Sequence, residues 1–265
     1  MAPTNLVPLH GRSGLALGAV SLIGLVAFGW PFFTEPGTAL DSSHSGDAPI
    51  LFVAILPLLA AIVLAELTSG GMDAKSVAML GMLSAVGGAL RALGPGTAGL
   101  EPSFAVIIIG GRVFGRGFGF VLGAVTVFTG ALITGGVGPW LPFQMMAAGW
   151  VGFGAGCLPR SGGRAEVAWL AGYAFVSGLL FGVVMNIWFW PFASYGPETS
   201  FVAGDAFTAN LGRYAVFYVT TSMLWDLGRS ILSLLVIVFA GSALLRALRR
   251  AGRRAAFDVP VVFER

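Results

Sequence analysis

Long apolar runs alternate along the chain with short breaks rich in glycine, proline and charge. A helix needs about 20 apolar residues to cross a bilayer core, and several runs approach or reach that length. The first covers 13–33 and ends at Trp30-Pro31. It is too long for a secretory signal core, and no small-residue cleavage site follows it cleanly. A second span is expected over 50–67 and a third over 74–93. The stretch 104–134 exceeds one span and is interrupted by Arg112, Arg116 and several glycines. This predicts a short helix over 104–111, then a full one over 117–134. So short a helix crosses only where its neighbours bury it. Further spans are expected over 143–158, 167–190 and 224–245, the last preceded by a shorter helix from Asn210. The pattern predicts an all-α polytopic membrane helix bundle of about eight spans.

Composition narrows the class. Only 10% of residues are charged and 56% are hydrophobic, whereas a soluble domain carries about 25% charged residues. An ordinary soluble enzyme is excluded on that count. Forty glycines in so apolar a background fit membrane helices and not a disordered chain, which is polar. The basic excess includes no polar run interleaved with aromatics, so no nucleic-acid partner is expected. It sorts by loop instead. With both termini in the cytoplasm, Arg12, Lys75, Arg112, Arg116, Arg160, Arg164, Arg246, Arg249, Arg250, Arg253, Arg254 and Arg265 fall inside. Only Arg91, Arg213 and Arg229 fall outside, as the positive-inside rule requires. The external loops carry Glu35, Asp41, Asp47, Glu101, Glu198 and Asp205 instead. The expected location is the plasma membrane, multi-pass, with the lipid bilayer as solvent.

Reactive chemistry is sparse. Cys157 is the only cysteine, and His10 and His44, the only histidines, lie outside the spans. No disulfide, metal centre or histidine-based triad is therefore expected, and no cofactor. The chain has no phosphate-cradling Walker loop, no His-Glu-x-x-His and no Gly-x-Ser-x-Gly. Gly115-Arg-Gly117-Phe-Gly119 follows no strand and reads as a turn and packing feature. The sequence does not read as an enzyme.

Ionisable groups in or beside spans are costly and so are candidate functional residues. Arg91, near the outer end of the third span, either anchors an acidic ligand group or snorkels to the interface. Asp226 and Arg229, three residues apart at the start of the last helix, fit a neutralising pair or a ligand contact. Glu66 ends the second span and is expected to meet water. Trp140, Phe143 and Gln144 follow the glycine-rich external loop 135–142. Asn186, Trp188 and Trp190 close the span before the last, and Tyr214 and Trp225 lie at or just before the final helix. Such residues serve as interfacial anchors, as glue between helices, or as a pocket that stacks on a planar ligand. External loops at 94–103, 135–142 and 191–212 are expected to help build that pocket. Small residues recur four apart at Ala74 and Ala78, at Gly81, Ala85 and Ala89, and at three glycine pairs: Gly119 with Gly123, Gly152 with Gly156, Gly178 with Gly182. These ridges serve internal packing or the docking of another membrane protein, and periodicity does not choose between them.

Five segments, taken in order, carry a resemblance. They are Ser84-Ala-Val-Gly-Gly-Ala-Leu-Arg91, Arg112-Val-Phe-Gly-Arg-Gly-Phe-Gly-Phe120, Thr134-Gly-Gly-Val-Gly-Pro-Trp-Leu-Pro-Phe-Gln-Met-Met-Ala-Ala-Gly-Trp-Val-Gly152, Met185-Asn-Ile-Trp-Phe-Trp-Pro191 and Ser222-Met-Leu-Trp-Asp226. Together they resemble the S components of energy-coupling factor (ECF) vitamin transporters, over roughly residues 74–250. The resemblance implies a six-helix substrate-binding membrane subunit that captures a vitamin-like small molecule at the outer face. A transmembrane coupling subunit and two ATPase subunits would be its partners, and rotation of the whole subunit would release substrate inside. It also implies a docking face of the Ala-x-x-x-Ala kind, matched by Ala74 and Ala78 and again by Ala85 and Ala89.

The departure from the family lies before Ala74. Residues 1–70 would form a tail and an extra two-helix hairpin, 71–250 the core, and 251–265 a basic cytoplasmic tail. Substrate-binding candidates are Arg91, Trp140, Phe143, Gln144, Asn186, Trp190, Tyr214, Asp226 and Arg229. The wide aromatic set suits a bulky vitamin such as a cobalamin; riboflavin, pantothenate, thiamine-like compounds and a queuosine precursor stay open. Two other classes remain alternatives. One is a stand-alone secondary transporter or channel. The other is a lipid-modifying membrane enzyme centred on Asp226 and Arg229.

Overall fold

A computed structural model describes residues 11–33, 74–94, 99–193 and 195–254. The expected span 50–67, Glu66, both histidines and the tail beyond Arg254 lie outside the described residues. Eight α-helices and two 3₁₀ turns make up the described fold, with no strand among the described residues. The α-helices are α1 (Gly11–Gly29), α2 (Ala74–Arg91), α3 (Ser103–Phe114), α4 (Arg116–Thr134), α5 (Leu141–Cys157), α6 (Gly163–Phe189), α7 (Phe207–Thr221) and α8 (Met223–Arg254). Among the described residues, three stretches are long and apolar enough to cross a membrane: Arg116–Thr134, Gly163–Phe192 and Met223–Arg253.

α3 sits at the centre. Every residue from Ser103 to Phe114 except Val106 is buried, as expected of a helix that is apolar all round. At 1.5 Å per residue its 12 residues span only about 18 Å. It packs against α2, α4, α5, α6 and α8, which enclose it. Gly115 ends α3 at φ 113° and donates its N–H to the Gly111 carbonyl before α4 begins. A side chain is strained at that φ, so the break between the two helices depends on glycine there.

The glycine pairs separate into two kinds. On α4 and α5, Gly119 and Gly123 lie against the Gly152 and Ala148 carbonyls, so a Cβ at either glycine would collide with backbone. On α6, Gly178 and Gly182 leave room for Ser230 and Asp226 of α8. Those are internal packing faces. α2 differs. It buries Ser76, Leu80, Leu83, Ser84, Gly87 and Gly88, the last two against Thr126, Thr129 and Gly130 of α4. Its other side exposes Ala74, Ala78, Gly81, Ala85 and Ala89 in one stripe, with nothing within 4 Å of a Cβ placed on Gly81.

Two features depart from the expected layout. Seven helices follow residue 73, one more than the six-helix core that the resemblance implies; the shorter helix expected from Asn210 is α7, which begins at Phe207 and runs 15 residues. α8 also runs through Arg254, past the expected boundary at 250; its Ala-, Leu- and Arg-rich end is made of strong helix formers. The N-terminal helix does not stand apart from the core. Phe28 packs edge-on against Phe143 at 5.0 Å, and the Trp150 indole donates to Ser21 Oγ at 3.0 Å.

Candidate functional site

α2 and α4 end, and α3, α5 and α8 begin, at the same end of the bundle. A cavity of about 310 Å³ opens there, lined by Arg91, Glu101, Thr134, Trp140, Gln144, Trp225 and Arg229, with Ala131 and the glycines 94, 99 and 136 between them. Gly99, at φ 80°, lets the loop before α3 lie on the Trp225 carbonyl, where a Cβ would collide. That close approach brings Glu101 into the cavity wall.

Glu101 is the hub. One carboxylate oxygen accepts from Arg91 Nη1 at 2.5 Å and from the Ser103 hydroxyl at 3.1 Å. The other lies 3.4 Å from Arg229 Nε, an ion pair without hydrogen-bond geometry. Arg91 also donates through Nη2 to Gln144 Oε1 at 2.7 Å, and its aliphatic stem lies against Gly130. Arg229 donates through Nη1 to Asp226 Oδ1 at 2.6 Å. Its guanidinium is held between the rings of Phe104 and Phe181, at 5.4 and 4.9 Å from their centroids. Both arginines are therefore fixed in place, and Trp140 and Trp225 stand half-exposed at the rim.

Arg91, Trp140, Gln144 and Arg229 thus share one wall. Asp226 stands behind Arg229, 3% exposed and packed on Gly182. Four other sequence candidates do not line the cavity. Phe143 is 1% exposed and packs between Phe28 and Trp188. Trp190 is fully buried, its indole N–H donated to the Thr199 carbonyl and its ring against Phe201 and Tyr214. The Tyr214 hydroxyl donates to the Val183 carbonyl. Asn186 accepts from Ser222 at 2.8 Å and donates to the Gly182 carbonyl. The polar groups of Trp190, Tyr214 and Asn186 are bound within the fold, and these three tie the end of α6 to α7 and to the turn before α8.

Glu101, read only as an external-loop charge, and Trp225, named among the outer aromatics, were not among the substrate-binding candidates. Glu101 lies in an aperiodic Gly-Pro loop, and only its distance from Arg91 once folded reveals it. At the opposite end a second charged cluster was missed. Glu166, 2% exposed, accepts from Arg112 Nε at 2.7 Å and from both Arg249 terminal nitrogens at 2.9 and 2.6 Å. Arg112 also donates to the Leu158 and Pro159 carbonyls. In the loop before α7, Asp205 pairs with Arg213 at 2.6 Å, and that hydrogen bond holds its carboxyl below the usual carboxylate range. A lowered carboxyl pKa contributes at neutral pH and is lost only as pH falls through that lowered value, so the contact is expected to outlast the protonation of ordinary carboxylates.

Among the described residues no group of three or more His, Cys, Asp or Glu side chains is arranged to hold a metal ion. Comparison with protein-family models, with curated proteins and with solved structures gives no match for this chain.

Proposed function

We propose that the chain is a membrane-embedded subunit that captures a small micronutrient at the outer face of the plasma membrane and hands it to an ATP-driven ECF-type importer. The observation that carries this reading is the cavity where five helix ends converge, with two immobilised arginines, an amide and two indoles around it. A few fixed polar groups beside aromatic surface is how a pocket grips a small ligand. Its volume lies at the low end of the usual ligand-pocket range of about 300–1,000 Å³, which favours a small vitamin over a cobalamin. Arg116, Arg160, Arg164, Arg246 and Arg250 are exposed at the other end of the bundle, which favours that end as cytoplasmic. Asp226 lies behind Arg229 and away from the cavity, which favours binding over catalysis.

The exposed small-residue stripe of α2 supports docking of a coupling subunit through Ala74, Ala78, Ala85 and Ala89. Ala78 and Ala85 are exposed among the described residues, so with leucine at either the fold and ligand binding are expected to survive. Co-purification with the coupling subunit is expected to fall at least tenfold, since small faces let helices approach closely. Ligand loss together with assembly loss would show instead that this face is needed for the fold.

The direct test of function is mass spectrometry of small molecules that co-purify with the detergent-solubilised chain, followed by titration of tryptophan fluorescence with the molecule found. Gly130→Ala would push Arg91 off its place. Losing one charge-assisted hydrogen bond costs about 1.5–3 kcal/mol, so affinity is expected to drop tenfold or more with little change in melting temperature. Transport by the chain alone in liposomes, without ATP, would favour a secondary transporter and sink this reading.

A further inference from the structure

We infer that the cavity takes a small monoanion: one carboxylate on a planar or apolar body. This rests on the capture reading and deepens it. Among the described residues, the charged groups that face the cavity are two guanidinium groups and one carboxylate, those of Arg91, Arg229 and Glu101. Asp226 is the remaining charge of the network, but it binds Arg229 from behind and its second oxygen is turned onto Gly182. Toward the ligand the wall therefore carries an excess of one positive charge.

The donor count agrees. Each guanidinium offers five N–H groups and accepts nothing. Arg91 gives Nη1 to Glu101 and Nη2 to Gln144, while Arg229 gives Nη1 to Asp226 and holds a buried Nε that makes no hydrogen bond. Donors outnumber the acceptors that meet them. A planar carboxylate is the group that matches the guanidinium fork, and a site of low dielectric raises the value of that match. A cation would meet two fixed arginines. A dianion would bring a second carboxylate up to Glu101. The half-exposed Trp140 and Trp225 rings offer the ligand's body a surface to stack on.

The test uses matched pairs on the purified full-length chain in detergent: nicotinate against nicotinamide, and pantothenate against pantothenol, with thiamine as the cation, read by tryptophan fluorescence and thermal shift. At least one acid is expected to bind tenfold or more tighter than its neutral partner, and thiamine not at all. Arg91→Gln is expected to abolish the preference for acid. Glu101→Gln is expected to strengthen acid binding severalfold, because it removes the internal competitor for both arginines; a merely structural Glu101 would weaken it. Equal binding of acid and neutral partner, binding of thiamine, or no response to either acid overturns the monoanion. The capture reading is judged separately, by what co-purifies with the chain and by whether Ala78→Leu breaks assembly, so the two can fail independently.

Discussion

Leucine in place of Gly152 is expected to leave the chain unable to hold its native bundle. Gly152 stands where α3, α4 and α5 converge. Its carbonyl lies where a Cβ on Gly111 or Gly119 would sit, and a Cβ on Gly152 itself would overlap the Gly119 carbonyl. The atoms in the way are backbone, so no rotamer change relieves the clash. Overpacking a core costs about 1–3 kcal/mol and occasionally more; a side chain driven into the backbone of a neighbouring helix belongs at or beyond the top of that range. For a chain of this size each kcal/mol moves the melting temperature by roughly 2–4 °C, so a drop of about 10 °C or outright aggregation is expected. Size-exclusion chromatography in detergent and a thermal melt would measure it. The control is Gly172→Leu on α6, where a new Cβ meets nothing within 4 Å. If the two variants melt together, the three-helix contact does not hold the bundle.

That contrast also shows what sequence could and could not reveal. Helix positions follow from runs of apolar residues, and the break between α3 and α4 follows from glycines beside Arg112 and Arg116. Four-residue spacing of small residues marks a close-packing face but does not name its partner. Gly119, Gly123 and Gly152 face backbone, Gly178 and Gly182 face the polar start of α8, and the α2 stripe is exposed among the described residues. Those fates depend on which helices become neighbours, which is tertiary information.

The site was legible where a residue was conspicuous by itself. Arg91 and Arg229 stand out because charge in an apolar span is costly, and Gln144 because an amide there needs a partner. Trp190 and Tyr214 have equally suitable chemistry, yet carbonyls of the fold already take their donors. Glu101 stayed hidden in an aperiodic loop, ten residues from Arg91 in sequence. Arg112 read as one more cytoplasmic charge because the positive-inside rule counts residues without asking whether they are buried. Its partner Glu166 lies 54 residues from it, and Arg249, which shares that carboxylate, lies 83 residues from Glu166.

That triad gives the second large effect. Glu166→Gln is expected to destabilise the bundle by about 3–5 kcal/mol, the usual cost of breaking a buried ion pair from one side. The substitution keeps the shape and removes the carboxylate that two guanidinium groups share. Arg112 is then left 6% exposed with an uncompensated charge, and its bonds to the Leu158 and Pro159 carbonyls neutralise only part of it. Arg249→Met is expected to cost much less. Arg249 is 24% exposed, and Glu166 keeps Arg112 as its counter-ion. The double variant Glu166→Gln with Arg249→Met should melt higher than Glu166→Gln alone, because one of the two orphaned cations is gone. A destabilising change that becomes stabilising beside another is the signature of coupling, and distant independent sites do not produce it. Thermal melts of the four chains close the cycle. Simple additivity would mean the three side chains act separately and that Arg249 is held by something other than Glu166. Ligand affinity of the folded fraction should stay constant across all four, since the triad sits at the opposite end of the bundle from the cavity.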